Sequence, residues 1–83
     1  MNGNEKQKLR EFLKKSLEKF GDHNEFSDDE SIFISGRLDS FSMMNLIMYL
    51  EQSSGMDFSS IEFDVGLVDT VNSIEAFVDS ARQ

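Results

Sequence analysis

The sequence predicts an all-α fold: a small bundle of three main helices plus one short helix. Apolar residues recur at helical spacing in three separate segments, and no segment alternates apolar and polar residues as a half-buried strand would. The chain also lacks proline, so nothing in it forbids a helix interior. Its 83 residues leave room for one domain, residues 1–83, with one small core. A chain of this size buries only about 60 to 65% of its unfolded surface.

The first helix is expected over residues 5–20. There Leu9, Phe12, Leu13, Leu17 and Phe20 follow i, i+3, i+4 spacing with Lys and Glu between them, which defines one apolar face. Gly21 and Asp22 end it. Residues 21–39 then form a long polar connection anchored by Phe26, Ile32, Phe33 and Leu38. Loops longer than about 12 to 15 residues are unusual in so small a domain and tend to be functional. This one delivers the chain to Asp39-Ser40.

The second helix is expected from about Phe41 to Ser53, stopped near Gly55. Met43, Leu46, Ile47 and Leu50 form one stripe at i, i+3, i+4, i+7, and Phe41, Met44 and Met48 form another, nearly opposite at about 100° per residue. The first stripe suits the core. The second either packs between helices or faces outward beside Ser40 as a docking face, a role to which methionine adapts well. Residues 56–68 are irregular, with a single helical turn expected near Ser59 to Asp64, Ile61 and Phe63 as core contacts and Gly66 as a breaker. The last helix begins at Asp69-Thr70 with Thr70 as N-cap; Val71, Ile74, Phe77, Val78 and Ala81 mark its buried stripe.

Charge and composition narrow the function. Net charge is −8, but residues 1–20 carry six Lys or Arg against three Glu, whereas residues 21–83 carry two Arg against thirteen acids. The acidic bulk repels nucleic acid and favours encounter with basic surfaces. The basic stretch is either a weak nucleic-acid or membrane patch or, with Glu interspersed, a solvated helix face. There is no cysteine and a single histidine, His23, which excludes a disulfide framework and a Cys- or His-rich metal site. No apolar run approaches the roughly 18 residues of a membrane span, and a cytoplasmic monomer is expected.

Several chemical motifs fail on inspection. Asp22, Asn24, Asp28 and Glu30 place oxygen donors in a loop after a helix, but an EF-hand would need glycine where Ser27 stands and a bidentate glutamate where Phe33 stands. A serine nucleophile needs a base, and His23 lies 17 positions before Ser40 with no evident orienting partner. The chain is not expected to be an enzyme.

Gly36-Arg37-Leu38-Asp39-Ser40-Phe41 is the most informative run. An Asp-Ser pair opening a helix can be a plain cap, with a serine oxygen accepting one of the unpaired amides of the first turn. The run also resembles the attachment motif of acyl and peptidyl carrier proteins, in which the serine of a Gly-x-Asp-Ser-Leu or Leu-Asp-Ser-Leu segment carries 4′-phosphopantetheine. The resemblance extends along nearly the whole chain. Asp28-Asp29-Glu30-Ser31-Ile32-Phe33 is similar to the loop segment that precedes the motif in that family, Met43 to Glu51 to its apolar second helix, and Asp69-Thr70-Val71 to the start of its last helix.

The resemblance implies that Ser40 takes 4′-phosphopantetheine from coenzyme A through a phosphopantetheinyl transferase with Mg²⁺. Asp39 would aid recognition by that transferase. The arm's thiol would then hold an acyl or aminoacyl group as a thioester, loaded by an adenylating ligase and passed to a downstream acyl-accepting enzyme. Fatty-acid carriers are acidic along the second helix, but here Ser42 and Asn45 stand at the corresponding positions and Glu51 is the only acid between Phe41 and Gln52. Phe41 replaces the usual Leu, Met or Ile. The chain is thus more similar to stand-alone D-alanyl and other discrete aminoacyl-type carriers. The alternative from another class is a non-enzymatic helical adaptor that binds a protein through Phe41, Met44 and Met48 without a prosthetic group.

Overall fold

The computed structural model describes residues 1–58 and 64–82. Three α-helices account for most of them: α1, Gly3–Lys19; α2, Ser40–Ser54; and α3, Val71–Ala81. One 3₁₀ turn, Val65–Leu67, precedes α3, and no strand occurs among the described residues. The predicted turn at Ser59 to Asp64, with Ile61 and Phe63, lies outside the described residues apart from Asp64. That residue caps the 3₁₀ turn, its carboxylate accepting the Gly66 amide at 3.0 Å. Gly66, expected as a breaker, sits inside this turn.

Helix α1 starts two residues earlier than its apolar spacing indicated because Asn2 and Glu5 form a reciprocal capping box. The Glu5 amide donates to Asn2 Oδ1 at 2.8 Å and the Asn2 amide to Glu5 Oε1 at 3.1 Å. At the other end Gly21, at φ 78°, reverses the chain while Asp22 N–H donates to the Leu17 carbonyl. That reversal corrects one expectation. Phe20 was assigned to the buried stripe, yet as the C-cap it swings away from the core and is 53% exposed.

The core gathers Leu9, Leu13 and Leu17 of α1, Leu46 and Leu50 of α2, and Val71, Ile74 and Val78 of α3, all essentially inaccessible. Phe12, Met43, Ile47, Phe77 and Ala81 are partly buried against it. Among the described residues two aromatic pairs join in: Phe12 stacks on Tyr49 with centroids 4.5 Å apart, and Phe58 meets Phe77 at 5.1 Å. Such pairs add about 0.5–1.5 kcal/mol beyond the area they bury. Phe58 and Val68, both fully buried, and Tyr49 were not singled out by spacing.

The long connection is fixed rather than slack. Phe26, Ile32 and Leu38 are buried in the core as their apolar character predicted, and Phe33 is partly so. Arg37 binds Asp22 at 2.9 Å, pairs with Glu30, and donates to the Asn24 carbonyl at 3.0 Å. Asp28 pairs with Lys6 at 2.9 Å and with Arg10, whose guanidinium lies 4.6 Å above the Phe26 ring. The acids of the rejected EF-hand are therefore occupied by cations of the chain itself. No helix among the described residues is long and apolar enough to cross a membrane.

Candidate functional site

Four contacts deliver Ser40 to the surface. The Ile32 amide donates to the Asp69 carbonyl at 2.8 Å, and the Asp69 carboxylate accepts the amides of Phe33 and Ile34 at 2.7 and 2.8 Å. Leu38 N–H then donates to the Ile32 carbonyl at 3.0 Å, closing the loop just before the helix. Gly36, at φ 84°, makes the reversal between these points without the steric cost of a β-carbon.

Asp39, not Ser40, caps α2. Its backbone is extended, its Oδ1 accepts the Ser42 amide at 2.9 Å, and its carbonyl accepts Met43 N–H. The Ser42 amide first, aided by the Ser42 hydroxyl and the amides of Asp39 itself and Phe41, holds the Asp39 carboxyl below the usual carboxylate range. Ser40 is consequently the first residue inside the helix. Its exposed hydroxyl makes no hydrogen bond among the described residues. The simple cap explanation therefore accounts for Asp39 and leaves Ser40 without a structural duty.

The two stripes of α2 separate cleanly. Leu46 and Leu50 are buried, whereas Phe41, Met44 and Met48 are 69%, 63% and 55% exposed. Ser42, read with Asn45 as standing where fatty-acid carriers have acids, is only 8% exposed because it falls on the same side as Leu46. Asn45 is exposed, and lines a cleft between α2 and α1 with Met48, Tyr49 and Phe12. His23 is exposed and lies 3.8 Å from Glu18.

The residues at the start of α2 fit a phosphodiester on Ser40. Past the cap, the first turn holds no acidic side chain, and the positive end of the helix dipole is worth roughly 0.3 to 1 kcal/mol to an exposed anion. The adjacent negative charge of Asp39 opposes this, although its carboxylate is turned to the Ser42 amide.

Two contributors escaped the sequence reading. Asp69 was taken only as part of the start of the last helix, and Arg37 only as a letter of the motif. A signal existed for Arg37, one of two basic residues in an otherwise acidic stretch of 63, which implied an ion-pair partner. Comparison with protein-family models, curated proteins and solved structures finds no match for this chain.

Proposed function

We propose that this protein is a discrete carrier in which Ser40 holds a 4′-phosphopantetheine arm, serving a specialised biosynthetic or modification pathway. The carrying observation is the division of labour at the start of α2: Asp39 performs the capping, and Ser40 presents at the surface a hydroxyl without a partner among the described residues. The fixed connection of residues 21–39 supports the same reading, since it holds that hydroxyl at one place for a transferase to engage. When bound, the arm supplies a thiol that carries an acyl or aminoacyl group as a thioester. The exposed Phe41, Met44 and Met48 offer apolar contacts beside it for the transferase, the adenylating ligase and the accepting enzyme. Buried Ser42 and exposed Asn45, in place of an acidic stripe, favour an aminoacyl-type carrier over a fatty-acid one.

Incubation with coenzyme A, Mg²⁺ and a broad-specificity transferase is expected to add the mass of one phosphopantetheine to the wild-type chain and none to Ser40→Ala. No gain, or an equal gain on the alanine variant, would overturn the proposal.

The exposure of Phe41, Met44 and Met48 favours a second reading, in which the chain is an adaptor needing no prosthetic group. An adaptor keeps its activity in cells when Ser40 is alanine, and a carrier loses it while remaining folded and abundant.

A further inference from the structure

The chain holds no cysteine and no tryptophan, so its five methionines are the side chains that a mild two-electron oxidant attacks first. They are not equivalent. Met1, Met43 and Met56 are partly buried and pack against the core, whereas Met44 and Met48 are 63% and 55% exposed. Four positions apart on α2, the exposed pair stands one above the other on a single face, which Phe41 continues three residues before Met44. Leu46 and Leu50, turned to the core, are inaccessible. Well-exposed methionine thus occurs at one place in the chain, the face on which the proposed partners make their apolar contacts.

We propose that Met44 and Met48 form a paired oxidation site, at which hydrogen peroxide switches the outer face of α2 from apolar to polar while the core stays intact. In each step the sulfur lone pair attacks one peroxide oxygen, the O–O bond breaks and an S–O bond forms. The second oxygen leaves as water after proton transfer. Sulfur supplies both electrons, and one peroxide is consumed per methionine. The product carries a strong hydrogen-bond acceptor where an adaptable apolar thioether stood. Because both side chains face water, the new oxygens stay hydrated and burden the fold little. At Met43 or Met56 the same oxygen would be pressed against the apolar core, which opposes its formation there. Oxidation and docking compete for the same two side chains: a bound partner shields them, and sulfoxides weaken its apolar contacts. Methionine sulfoxide reductases return the thioether, which makes the change reversible. The effect on partners rests on the carrier reading, whereas the modification itself does not.

Limiting hydrogen peroxide is added to the full chain, and the products are followed by intact mass, peptide mapping and circular dichroism. Met44 and Met48 are expected to oxidise roughly fivefold faster than Met1, Met43 and Met56. The product, heavier by two oxygen atoms, keeps its helical signal and elutes earlier from a hydrophobic-interaction column. Met44→Leu combined with Met48→Leu, both at exposed positions, removes the early product and the change in retention, and reductase treatment of the wild type reverses both. With coenzyme A and a broad-specificity transferase, oxidation raises the KM for the wild-type chain roughly tenfold with little change in kcat. Peroxide leaves the double leucine variant's own KM where it was. Equal oxidation of all five methionines, earlier oxidation of the partly buried three, loss of helical signal at the two-oxygen stage, or a wild-type KM unmoved by peroxide would overturn the proposal. If even the untreated chain gains no phosphopantetheine mass, the carrier reading fails, and the order of oxidation together with the change in retention decides the proposal by itself.

Discussion

The buried carboxylate of Asp69 accepts the backbone amide of Phe33, 36 residues earlier in the chain, at 2.7 Å, and the next amide, that of Ile34, at 2.8 Å. This joins the start of α3 to the middle of the long connection. Because Leu38 is bonded in turn to Ile32, the clamp also sets the direction from which the chain reaches Asp39 and Ser40.

Removing the clamp should therefore be costly. Asp69→Ala leaves two inward-facing amides without their acceptor and is expected to destabilise the fold by about 3 kcal/mol, or roughly 10 to 20 °C in Tm. Asp69→Asn keeps one acceptor oxygen and should lose about half as much. Thermal denaturation of the two variants beside the wild type checks both figures.

Acid should weaken the same clamp. Burial raises the Asp69 pKa, but the Ser31 hydroxyl and the amides of Ile34, Phe33 and Ile32 outweigh it and leave the carboxyl below its ordinary value. A depressed folded pKa means that the stabilisation is complete above the unfolded pKa of about 4 and is lost as pH falls through the folded one. Glu5, held at about 2 first by Arg82 and then by the Asn2 amide, acts in the same direction. Urea midpoints should hold steady from pH 7 to about 5 and fall below about 4, with a shallower fall in Asp69→Asn.

At the start of α2 the two motif residues should separate by experiment. Asp39→Ala removes a helix cap and is expected to cost about 1 kcal/mol. Ser40→Ala removes an exposed hydroxyl without a partner among the described residues, should change stability by no more than about 0.5 kcal/mol, and should abolish the mass gain that the proposed attachment predicts. Equilibrium unfolding together with mass analysis after transferase treatment distinguishes the two. An equally destabilised Ser40→Ala would assign the serine a structural role instead.

The two faces of α2 should also respond differently. Leu46→Ala opens a cavity in the core and is expected to cost 2–5 kcal/mol, as an order of magnitude. Met48→Ala, on the exposed stripe, should leave stability within about 0.5 kcal/mol and reduce loading by a cognate adenylating ligase. A loading rate that is unaffected by Met48→Ala but collapses with added salt would point to charge steering in place of apolar docking.

Spacing alone located the three helices, the Thr70 cap and the buried faces of α1 and α3, because helix periodicity and capping are local properties of the chain. It also divided α2 into two stripes. Whether the second stripe was covered could not be read from it, since that depends on which neighbours the other helices supply. Phe20 was misassigned for a related reason. Its spacing matched the stripe, but the reversal at Gly21 took it out of helical register.

The sequence by itself determined an all-α chain with an Asp-Ser pair at the head of its middle helix, because apolar period and turn residues act over a few positions. Only the tertiary structure decided that Asp39 is the cap while Ser40 makes no side-chain hydrogen bond among the described residues, and that Asp69 and Arg37 fix the approach to them. Each of these rests on contacts between distant segments or on the choice between adjacent donors and acceptors. Such choices are settled by three-dimensional packing and not by local pattern.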